Sequence, residues 1–417
     1  MKKTAMKETN QETSHKKNQE AMLNRHLDKL VLAIGERPPG SLANHQAVDY
    51  AATTLSSLGW QEERDAFDCI DWEHGSVRLE ADGCACQAYA SPYSLGFEGT
   101  AKLAVAASLE ELKKARLEGK ILLLGGELAK EQIMPKNFVF YNPEEHRQLI
   151  ALLEEKKPLA IICATGPGTG LSSGMDPFPV FEDGDFHIPS VYMKEGDAQD
   201  LISCQGREVT LSSQSRRIPA TGHNLVARKK GSGEGRILLC GHIDTKKNTP
   251  GALDNATGVA VLLALAEELQ QFTGYHDLEI IAFNGEDYYA VSGQMLYLSQ
   301  HPEGFQDVKM VINIDGAGHR GSRTALSFYN LEEGPVRKIL EAAEAFPSLV
   351  RGEDWYEGDH SMFLQQGVPC MAVTSSDMHD RVMLISHTPQ DTLNQVDTGL
   401  LEELVAFLAQ IVTEEVE

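Results

Sequence analysis

Acidic and histidine side chains directly follow the apolar segments 236–240, 278–284 and 308–314 in the second half of the sequence, or lie in nearby loops. In chain order they are His242, Asp244, Asp254, Glu286, Asp287, Asp315 and His387. The apolar segments are predicted strands, and in open α/β sheets ligands bind beyond the carboxyl ends of the strands. We therefore expect these side chains to meet at one edge of a sheet.

A cluster of this composition predicts a metal site. Several carboxylates at one edge would repel one another and would be costly to desolvate unless cations neutralised them. Nitrogen and oxygen ligands together suit zinc or a similar divalent ion. A single catalytic zinc needs about three protein ligands, whereas two ions about 3.5 to 4 Å apart can share one carboxylate. The size of the set favours two ions.

Six short motifs occur in a fixed order over about 200 residues: GHIDT, GALDNATG, FNGEDYYAVSGQMLYL, NIDGAG, EGDHSMF and SHTPQDT. Together with RPPGS near the N-terminus, they resemble the dinuclear zinc aminopeptidase family. That family also contains aminopeptidase Y, glutamate carboxypeptidase and, with one zinc, glutaminyl cyclase. The resemblance implies a zinc exopeptidase fold, two zinc ions or other divalent cations as cofactors, and a peptide as substrate.

The resemblance also implies which positions bind the metal. His242 and Asp315 would be ligands of one zinc, and Asp287 and His387 would be ligands of the other. Asp254 would bridge the two ions. Asp287 stands where relatives commonly have glutamate, and its side chain is one methylene shorter, so the second ion would sit differently or bind less tightly.

Two further acids are assigned catalytic roles. By the same resemblance, Glu286 would act as the general base, taking a proton from a water held between the ions and later protonating the leaving amine. Asp244, two residues beyond His242 on an extended segment, points to the same side and would hold the imidazole in its metal-binding tautomer. Asp359 and Asp391 could either line the pocket or cap turns.

The oxyanion-stabilising group departs from the family pattern. Many relatives carry tyrosine immediately before the last metal-binding histidine, where its hydroxyl can stabilise the oxyanion, but this chain has Ser386 there. His360 and Tyr356 are the remaining candidates for that role.

The elements that must position this site alternate between strand and helix from residue 224 onward, which predicts an α/β fold. Its sheet would be mixed, mostly parallel, and sandwiched by helices. Before that region, short strands separated by turns predict a smaller, inserted β-rich domain. Its motifs GKILLLGG, IICATG and IPSVYM resemble a protease-associated domain. The predicted division is an N-terminal extension at 1–20, a catalytic domain at 21–75 and 216–417, and the insertion at 76–215.

Composition narrows the possible partners. With 42% hydrophobic and 24% charged residues, the chain resembles ordinary globular proteins. Its 37 basic and 61 acidic side chains give a net charge of −24, which opposes binding to nucleic acid or to an anionic membrane. No apolar stretch approaches the length of about 18 residues typical of a membrane span, and no signal-peptide core follows the N-terminus. These features predict a cytoplasmic enzyme, with its oligomeric state left open.

An aminopeptidase acting on short peptides is the leading functional prediction. A carboxypeptidase of the same family stays open because Lys246, Lys247, Arg320 and Arg323 lie near the metal motifs and could bind a terminal carboxylate. A transferase like glutaminyl cyclase and a non-catalytic binding protein on the same scaffold are two further possibilities. The two-metal ligand set argues against the transferase, and the presence of Glu286 argues against the binding protein.

Overall fold

The computed structural model describes residues 19–414, so the predicted N-terminal extension lies almost entirely outside the described residues. The chain divides into two compact units. The first unit contains the described residues up to Phe67, then Gly222–Tyr288, and the described residues from Ser292 onward. The second unit contains Asp68–Thr221 and the short segment Tyr289–Val291. The units therefore change at 67–68 and 221–222, whereas the sequence placed the changes at 75–76 and 215–216. Both observed changes fall within long strands, Gln61–Ala81 and Glu208–Lys229.

Fourteen strands lie within residues 19–414. They are β1 (Gln61–Ala81), β2 (Cys84–Cys86), β3 (Tyr89–Ala90), β4 (Phe97–Ala106), β5 (Lys120–Leu124), β6 (Ala160–Thr165), β7 (Ser190–Lys194), β8 (Glu208–Lys229), β9 (Arg236–His242), β10 (Asp277–Phe283), β11 (Val308–Ile314), β12 (Thr324–Tyr329), β13 (Leu349–Arg351) and β14 (Cys370–Ser375).

The described helices begin with α1 at residues 19–27. The others are α2 (Leu42–Ser57), α3 (Leu109–Lys114), α4 (Glu144–Lys156), α5 (Gln199–Ser203), α6 (Thr257–Glu268), α7 (Ser292–Gln300), α8 (Glu333–Ala343), α9 (His360–Leu364), α10 (Met383–Ile385) and α11 (Thr398–Thr413). Short 3₁₀ or π turns lie at Asp28–Ile34, Gly126–Ala129, Gly170–Ser172, Glu195–Asp197, Ala252–Ala256, Leu269–Gln271, Met378–Val382 and Leu393–Gln395. No helix within residues 19–414 has both the length and the apolar character needed to cross a bilayer.

The first unit is built on a mixed sheet with the strand order β13-β12-β14-β11-β9-β10-β8. Strands β10, β9, β11 and β14 run parallel to one another. Strand β12 is antiparallel to β14, and residues 225–229 of β8 are antiparallel to β10. This arrangement confirms the predicted α/β fold with a mixed, mostly parallel sheet.

Both faces of this sheet are covered because its central strands are apolar at successive positions. On one face, Ile237 and Leu239 of β9 and Ile312 of β11 pack into a large core with residues of α2, α6 and α11. Helix α6 lies between the sheet and other helices, which is why it is buried continuously from Thr257 to Ala266. The other face is covered by aromatic rings that pack against one another, those of Phe283, Tyr297, Phe305 and Phe363.

The second unit has parallel strands of its own. Strands β4, β5, β6 and β7 pair in parallel, and residues 97–102 of β4 also pair antiparallel with residues 208–213 of β8. Parallel neighbours need crossover connections, and helices α3 and α4 lie within two of them. All six residues of β6 are buried, as expected for a parallel strand that is covered on both faces.

Candidate metal centre

Three adjacent parallel strands bring most of the predicted site residues to one edge of the sheet in the first unit. His242 is the last residue of β9 and is paired in register with Phe283, the last residue of β10. Glu286 and Asp287 follow shortly after β10, and Asp315 directly follows β11. Since the carboxyl ends of these strands share one edge, the side chains converge there.

Asp254 reaches this edge from a tight turn at Ala252–Ala256, just before α6. Its peptide bond to Asn255 is cis, and neither residue has helical backbone angles. The side-chain amide of Asn255 donates to the carbonyl oxygen of Ile314 at 2.8 Å, and its oxygen accepts from the backbone N–H of Gly258 at 3.0 Å. Asn255 therefore fastens the turn to the end of β11 and caps the start of α6.

The carboxylate of Asp254 lies between two imidazoles. Its Oδ1 is 3.1 Å from Nε2 of His242, and its Oδ2 is 3.1 Å from Nε2 of His387. Nε2 of His242 also lies 3.6 Å from Oδ1 of Asp315, and Nε2 of His387 lies 2.9 Å from Oδ1 of Asp287. All five predicted metal ligands are thus brought together as two imidazole–carboxylate pairs that share Asp254.

The donor atoms fit a divalent cation. His242, Asp254 and Asp287 offer ligand atoms that all lie within 4.8 Å of one another. Nε2 of His242 and Oδ2 of Asp287 are buried and make no hydrogen bond to any residue in the described part of the chain. Buried polar atoms are normally satisfied, and leaving one unpaired costs about 1–3 kcal/mol. Imidazole nitrogens and carboxylate oxygens are ligands that zinc prefers, so a bound cation would satisfy these atoms.

Asp244 supports the loop that carries the predicted base. Its Oδ1 accepts hydrogen bonds from the backbone N–H groups of Gly285 at 2.6 Å and Glu286 at 3.3 Å, and its Oδ2 accepts from that of Asp287 at 3.1 Å. The same carboxylate lies 3.8 Å from Nδ1 of His242, whereas the backbone carbonyl oxygen of Asp244 lies 3.2 Å from that nitrogen. The backbone oxygen is therefore the nearer acceptor for the imidazole.

Two other buried acids lie beside the cluster. Asp391 caps the turn that contains Asp254, because its carboxylate accepts from the backbone N–H groups of Leu253 at 2.7 Å and Asp254 at 3.1 Å. Asp359 accepts at Oδ1 from the side-chain amide of Gln294 at 2.7 Å. Its Oδ2 is buried and makes no hydrogen bond within residues 19–414.

The electrostatics of the pocket favour bound positive charge. Burial alone would lower the pKa of His242, but the carboxylates of Asp315 and Asp254 raise it well above its ordinary value. Burial likewise opposes charge on His387, whose pKa is raised well above its ordinary value by Asp287 and Asp254. Divalent cations compete with protons for such ligands, so metal binding here would release protons.

The two predicted oxyanion donors are engaged elsewhere. His360 is buried, which lowers the pKa of its imidazole to about 4. Its Nε2 donates to the carbonyl oxygen of Trp355 at 2.9 Å, and its Nδ1 accepts from the amide of Asn313 at 3.4 Å. Tyr356 is 60% exposed, and its hydroxyl donates to Asp354 at 3.2 Å. Both nitrogens of His360 and the hydroxyl of Tyr356 therefore have partners within the protein.

Ser386 is placed differently from those two residues. It directly precedes His387 and is buried, and its hydroxyl makes no hydrogen bond to a described residue.

The basic residues named for carboxylate recognition have distinct surroundings. The guanidinium groups of Arg320 and Arg323 donate hydrogen bonds to backbone carbonyl oxygens. These bonds hold loops together and engage both guanidinium groups. These acceptors belong to Asn394, Val396, Pro347 and Leu349. Lys246 lies closer to the cluster, because its Nζ is 3.5 Å from the backbone oxygen of Asp287.

Residues 224–412 match the model of peptidase family M28. The chain is therefore similar to that family over this segment. This match confirms the predicted family resemblance and the predicted metallopeptidase class. The seven predicted site residues, from His242 to His387, all lie within the matched M28 segment.

Curated proteins similar to this chain include an aminopeptidase. Aminopeptidase YwaD of Bacillus subtilis (strain 168) is 24% identical over 229 residues, which cover 52% of this chain and 49% of that protein. The chain thus spans about half the length of this curated relative.

Two solved structures show the same fold over nearly the whole chain. An aminopeptidase from Aneurinibacillus sp. strain AM-1 superposes with a TM-score of 0.73 and 20% identity, covering 94% of this chain and 92% of that one. BSAP, a zinc aminopeptidase from Bacillus subtilis, superposes with a TM-score of 0.71 and 20% identity, covering 95% of each chain.

Sequence reasoning missed three polar residues that are fully buried near the M28 ligand loops, namely Arg37, Asn44 and Asn284. Arg37 belongs to RPPGS, and Asn284 directly precedes the GED triplet. Their position beside site motifs was the available signal. An arginine in a proline-rich turn otherwise looks like a solvated residue, because arginine is almost never fully buried unless paired.

Proposed function

We propose that this protein is a dinuclear zinc aminopeptidase that removes the N-terminal residue from short peptides. The observation that carries the proposal is the shared carboxylate of Asp254, which lies 3.1 Å from both His242 and His387. Each imidazole also faces a second carboxylate, and five donors exceed the roughly three protein ligands of a single catalytic zinc. The match to the model of peptidase family M28 and the likeness to aminopeptidases support the reaction class.

The donors divide naturally between two ions. His242 and Asp315 would hold one, Asp287 and His387 would hold the other, and Asp254 would bind both. Asp287 is shorter than the glutamate common in relatives, yet its Oδ1 lies 2.9 Å from Nε2 of His387, which supports its place in the second pair. Bound ions would polarise the scissile carbonyl and lower the pKa of the attacking water.

Glu286 is the proposed general base. Its backbone N–H is held by Asp244, and its neighbour Asp287 lies beside His387, so the two consecutive acids would divide the work of base and ligand. Burial raises the pKa of Glu286 well above its ordinary value, and Asp287 and Asp315 raise it further although His242 lowers it. A carboxylate with a raised pKa takes a proton from water and returns it to the leaving amine more effectively.

A carboxypeptidase is the second candidate, and Lys246 is the observation that favours it. An ammonium group beside Asp287 could bind a substrate's terminal carboxylate. The other basic candidates support it less, since Arg320 and Arg323 already bind backbone carbonyl oxygens.

The net charge of −24 supports a peptide, rather than nucleic acid or an anionic membrane, as the partner.

Blocked peptides distinguish the two candidates. The zinc-loaded protein would be assayed on one tripeptide in three forms: free, N-acetylated and C-amidated. We expect the free and amidated forms to be cleaved and the acetylated form to resist cleavage. Cleavage of the acetylated form with resistance of the amidated form would instead identify a carboxypeptidase. Removing the metal with a chelator should abolish whichever cleavage is observed. Cyclisation of a peptide with N-terminal glutamine, without hydrolysis, would overturn the peptidase proposal.

A further inference from the structure

Arg37 is fully buried next to the loops that carry the metal ligands. Its guanidinium makes four hydrogen bonds, and all of them end on backbone carbonyl oxygens. Nε donates to Ile243 at 2.7 Å, Nη1 donates to Gly35 and to Pro250 at 3.1 Å each, and Nη2 donates to Gly251 at 3.0 Å. One planar group thus holds three separate stretches of backbone.

Two of these stretches carry metal-ligand candidates. Ile243 directly follows His242, and Gly251 opens the turn that presents Asp254. The backbone N–H of Arg37 adds a second link to the stretch that carries His242, because it donates to Oγ1 of the buried Thr245 at 2.9 Å.

A second buried residue of the same segment reaches the loop after β10. The side-chain amide of Asn44 donates to the carbonyl oxygen of Arg37 at 3.1 Å and to Oδ1 of Asn284 at 2.9 Å, and Asn284 donates back to Asn44 at 2.9 Å. Asn284 is separated by one glycine from Glu286. The RPPGS segment and the start of α2 therefore touch every loop that carries His242, Asp254, Glu286 and Asp287.

The charge of Arg37 suits this position. Burial lowers the pKa of the guanidinium to about 10, although the carboxylates of Asp244, Asp391, Asp254 and Asp287 raise it. The group remains cationic at neutral pH, so a fixed positive charge lies behind the acidic cluster and offsets part of its repulsion.

We propose that Arg37 is a positioning residue for the metal centre. It sets the spacing between the His242 strand end and the Asp254 turn by binding both backbones with one rigid, planar donor group. The inference rests on the proposed two-metal function, and its test must separate a failure of Arg37's role from a failure of that function.

The test uses Arg37→Met, which removes the donors, and Arg37→Lys, which keeps the charge. Arg236→Met is the matched control: Arg236 is another largely buried arginine, paired with Glu279 and Asp307, and it begins β9, the strand that ends at His242. Metal-free protein would be titrated with Zn²⁺ against a chromophoric chelator, and its Co²⁺ form examined by visible absorption. Thermal unfolding of each variant would be recorded in parallel.

We expect Arg37→Met to bind at least one Zn²⁺ about 10- to 100-fold more weakly than wild type and to show an altered Co²⁺ spectrum. Arg37→Lys should weaken binding less, because one ammonium cannot span the same backbones. Arg236→Met should unfold at lower temperature yet keep wild-type Zn²⁺ affinity and Co²⁺ absorption.

Wild-type Zn²⁺ affinity and Co²⁺ absorption in Arg37→Met would overturn the inference. If Arg37→Met does not fold, Arg37→Lys decides, and unchanged metal binding in that variant would likewise overturn it. If the wild-type protein itself takes up fewer than two Zn²⁺ ions, the proposed function fails instead, and the two failures remain distinguishable.

Discussion

The backbone N–H of Asp287 donates to the carboxylate of Asp244 at 3.1 Å, so an acid on the loop after β9 fixes the loop after β10. The N–H groups of Gly285 and Glu286 point at the same carboxylate. The proposed base and one proposed ligand are therefore held relative to the end of the strand that carries His242.

Replacing Asp244 with asparagine should reduce kcat about 10- to 100-fold, as is typical for residues that orient metal ligands. The asparagine amide presents N–H donors to a loop that supplies only N–H groups, so part of the loop's support is lost. Asp307→Asn is a control, since Asp307 is exposed and lies before β11, away from the metal cluster. Equal kcat in the two variants, measured at saturating peptide, would contradict the supporting role of Asp244.

Asp254→Asn should lower the zinc content of the purified protein from two ions per chain to one at most. The neutral amide cannot neutralise two cations, and its nitrogen cannot serve as a ligand. Elemental analysis after dialysis against a low zinc concentration measures the change. A variant that retains two ions would show that Asp254 does not bridge them.

Glu286→Gln should lower kcat about 10²- to 10⁴-fold, the range expected for loss of general acid–base catalysis. Glutamine preserves the shape of the side chain but cannot accept the proton. Zinc content and melting temperature should stay at wild-type values, and the exposed Glu303→Gln should behave as wild type throughout. Retained activity in Glu286→Gln would assign the base to another residue.

Glu279→Gln should destabilise the first unit without affecting the metal centre. The buried carboxylate binds Arg228 at 2.6 Å, Arg236 at 3.4 Å and the hydroxyl of Tyr297 at 2.6 Å. Removing its charge takes the buried carboxylate partner from both arginines and leaves them only exposed ones, and we expect a loss of about 3 kcal/mol in the free energy of unfolding.

The side chain of Arg228 is 41% exposed, which keeps the loss in Glu279→Gln at the low end of the range for buried pairs. Urea denaturation measures it. Glu63→Gln removes the exposed partner of the same Arg228 and should cost less than about 1 kcal/mol. Similar losses in the two variants would show that burial of Glu279 does not matter.

The stability of the protein should fall as the pH drops from about 6.5 to about 4, with His26 as one cause. Burial and then the nearby Arg25 lower the pKa of His26 from 6.5 to about 4, and its Nδ1 lies 2.7 Å from the hydroxyl of Tyr50. In this window the unfolded chain binds a proton that the folded protein does not, so protonation favours unfolding. The shift corresponds to about 3 kcal/mol at pH 4.

His26→Gln should therefore flatten the pH dependence of the free energy of unfolding in this window by roughly that amount. The measurements use chelator-treated protein, so that release of bound metal does not contribute to the dependence of the free energy of unfolding on pH. His379→Gln, at an exposed position, should retain the wild-type slope. Parallel curves for wild type and His26→Gln would rule His26 out as the titrating group.

The strand ends of the first unit were predictable because central parallel strands are continuous apolar segments followed by polar residues. Strand β11 begins and ends where its apolar segment does, and β9 runs two residues further, to His242. The types of side chain at the candidate site followed directly from these strand ends.

Tertiary contacts decided what the sequence could not show. Helix α6 begins at Thr257, and Asn255 lies before it because the side chain of Asn255 binds the carbonyl oxygen of Ile314 on a distant strand. Three backbone N–H groups donate to the carboxylate of Asp244, and their position depends on the register between β9 and β10. Local sequence patterns do not encode the register of two strands joined by a crossover. Arg37 was missed for the same reason, since three of its four acceptors lie about two hundred residues along the chain.

The order of the ligands along the chain has a consequence for biosynthesis. A ribosome that has translated as far as residue 350 has produced His242, Asp254, Asp287 and Asp315, but neither β14 nor His387. Such a nascent chain holds one imidazole–carboxylate pair without its counterpart, so a complete two-ion centre cannot assemble cotranslationally at that stage. The proposed two-ion centre could therefore be completed only after β14 and His387 have been translated.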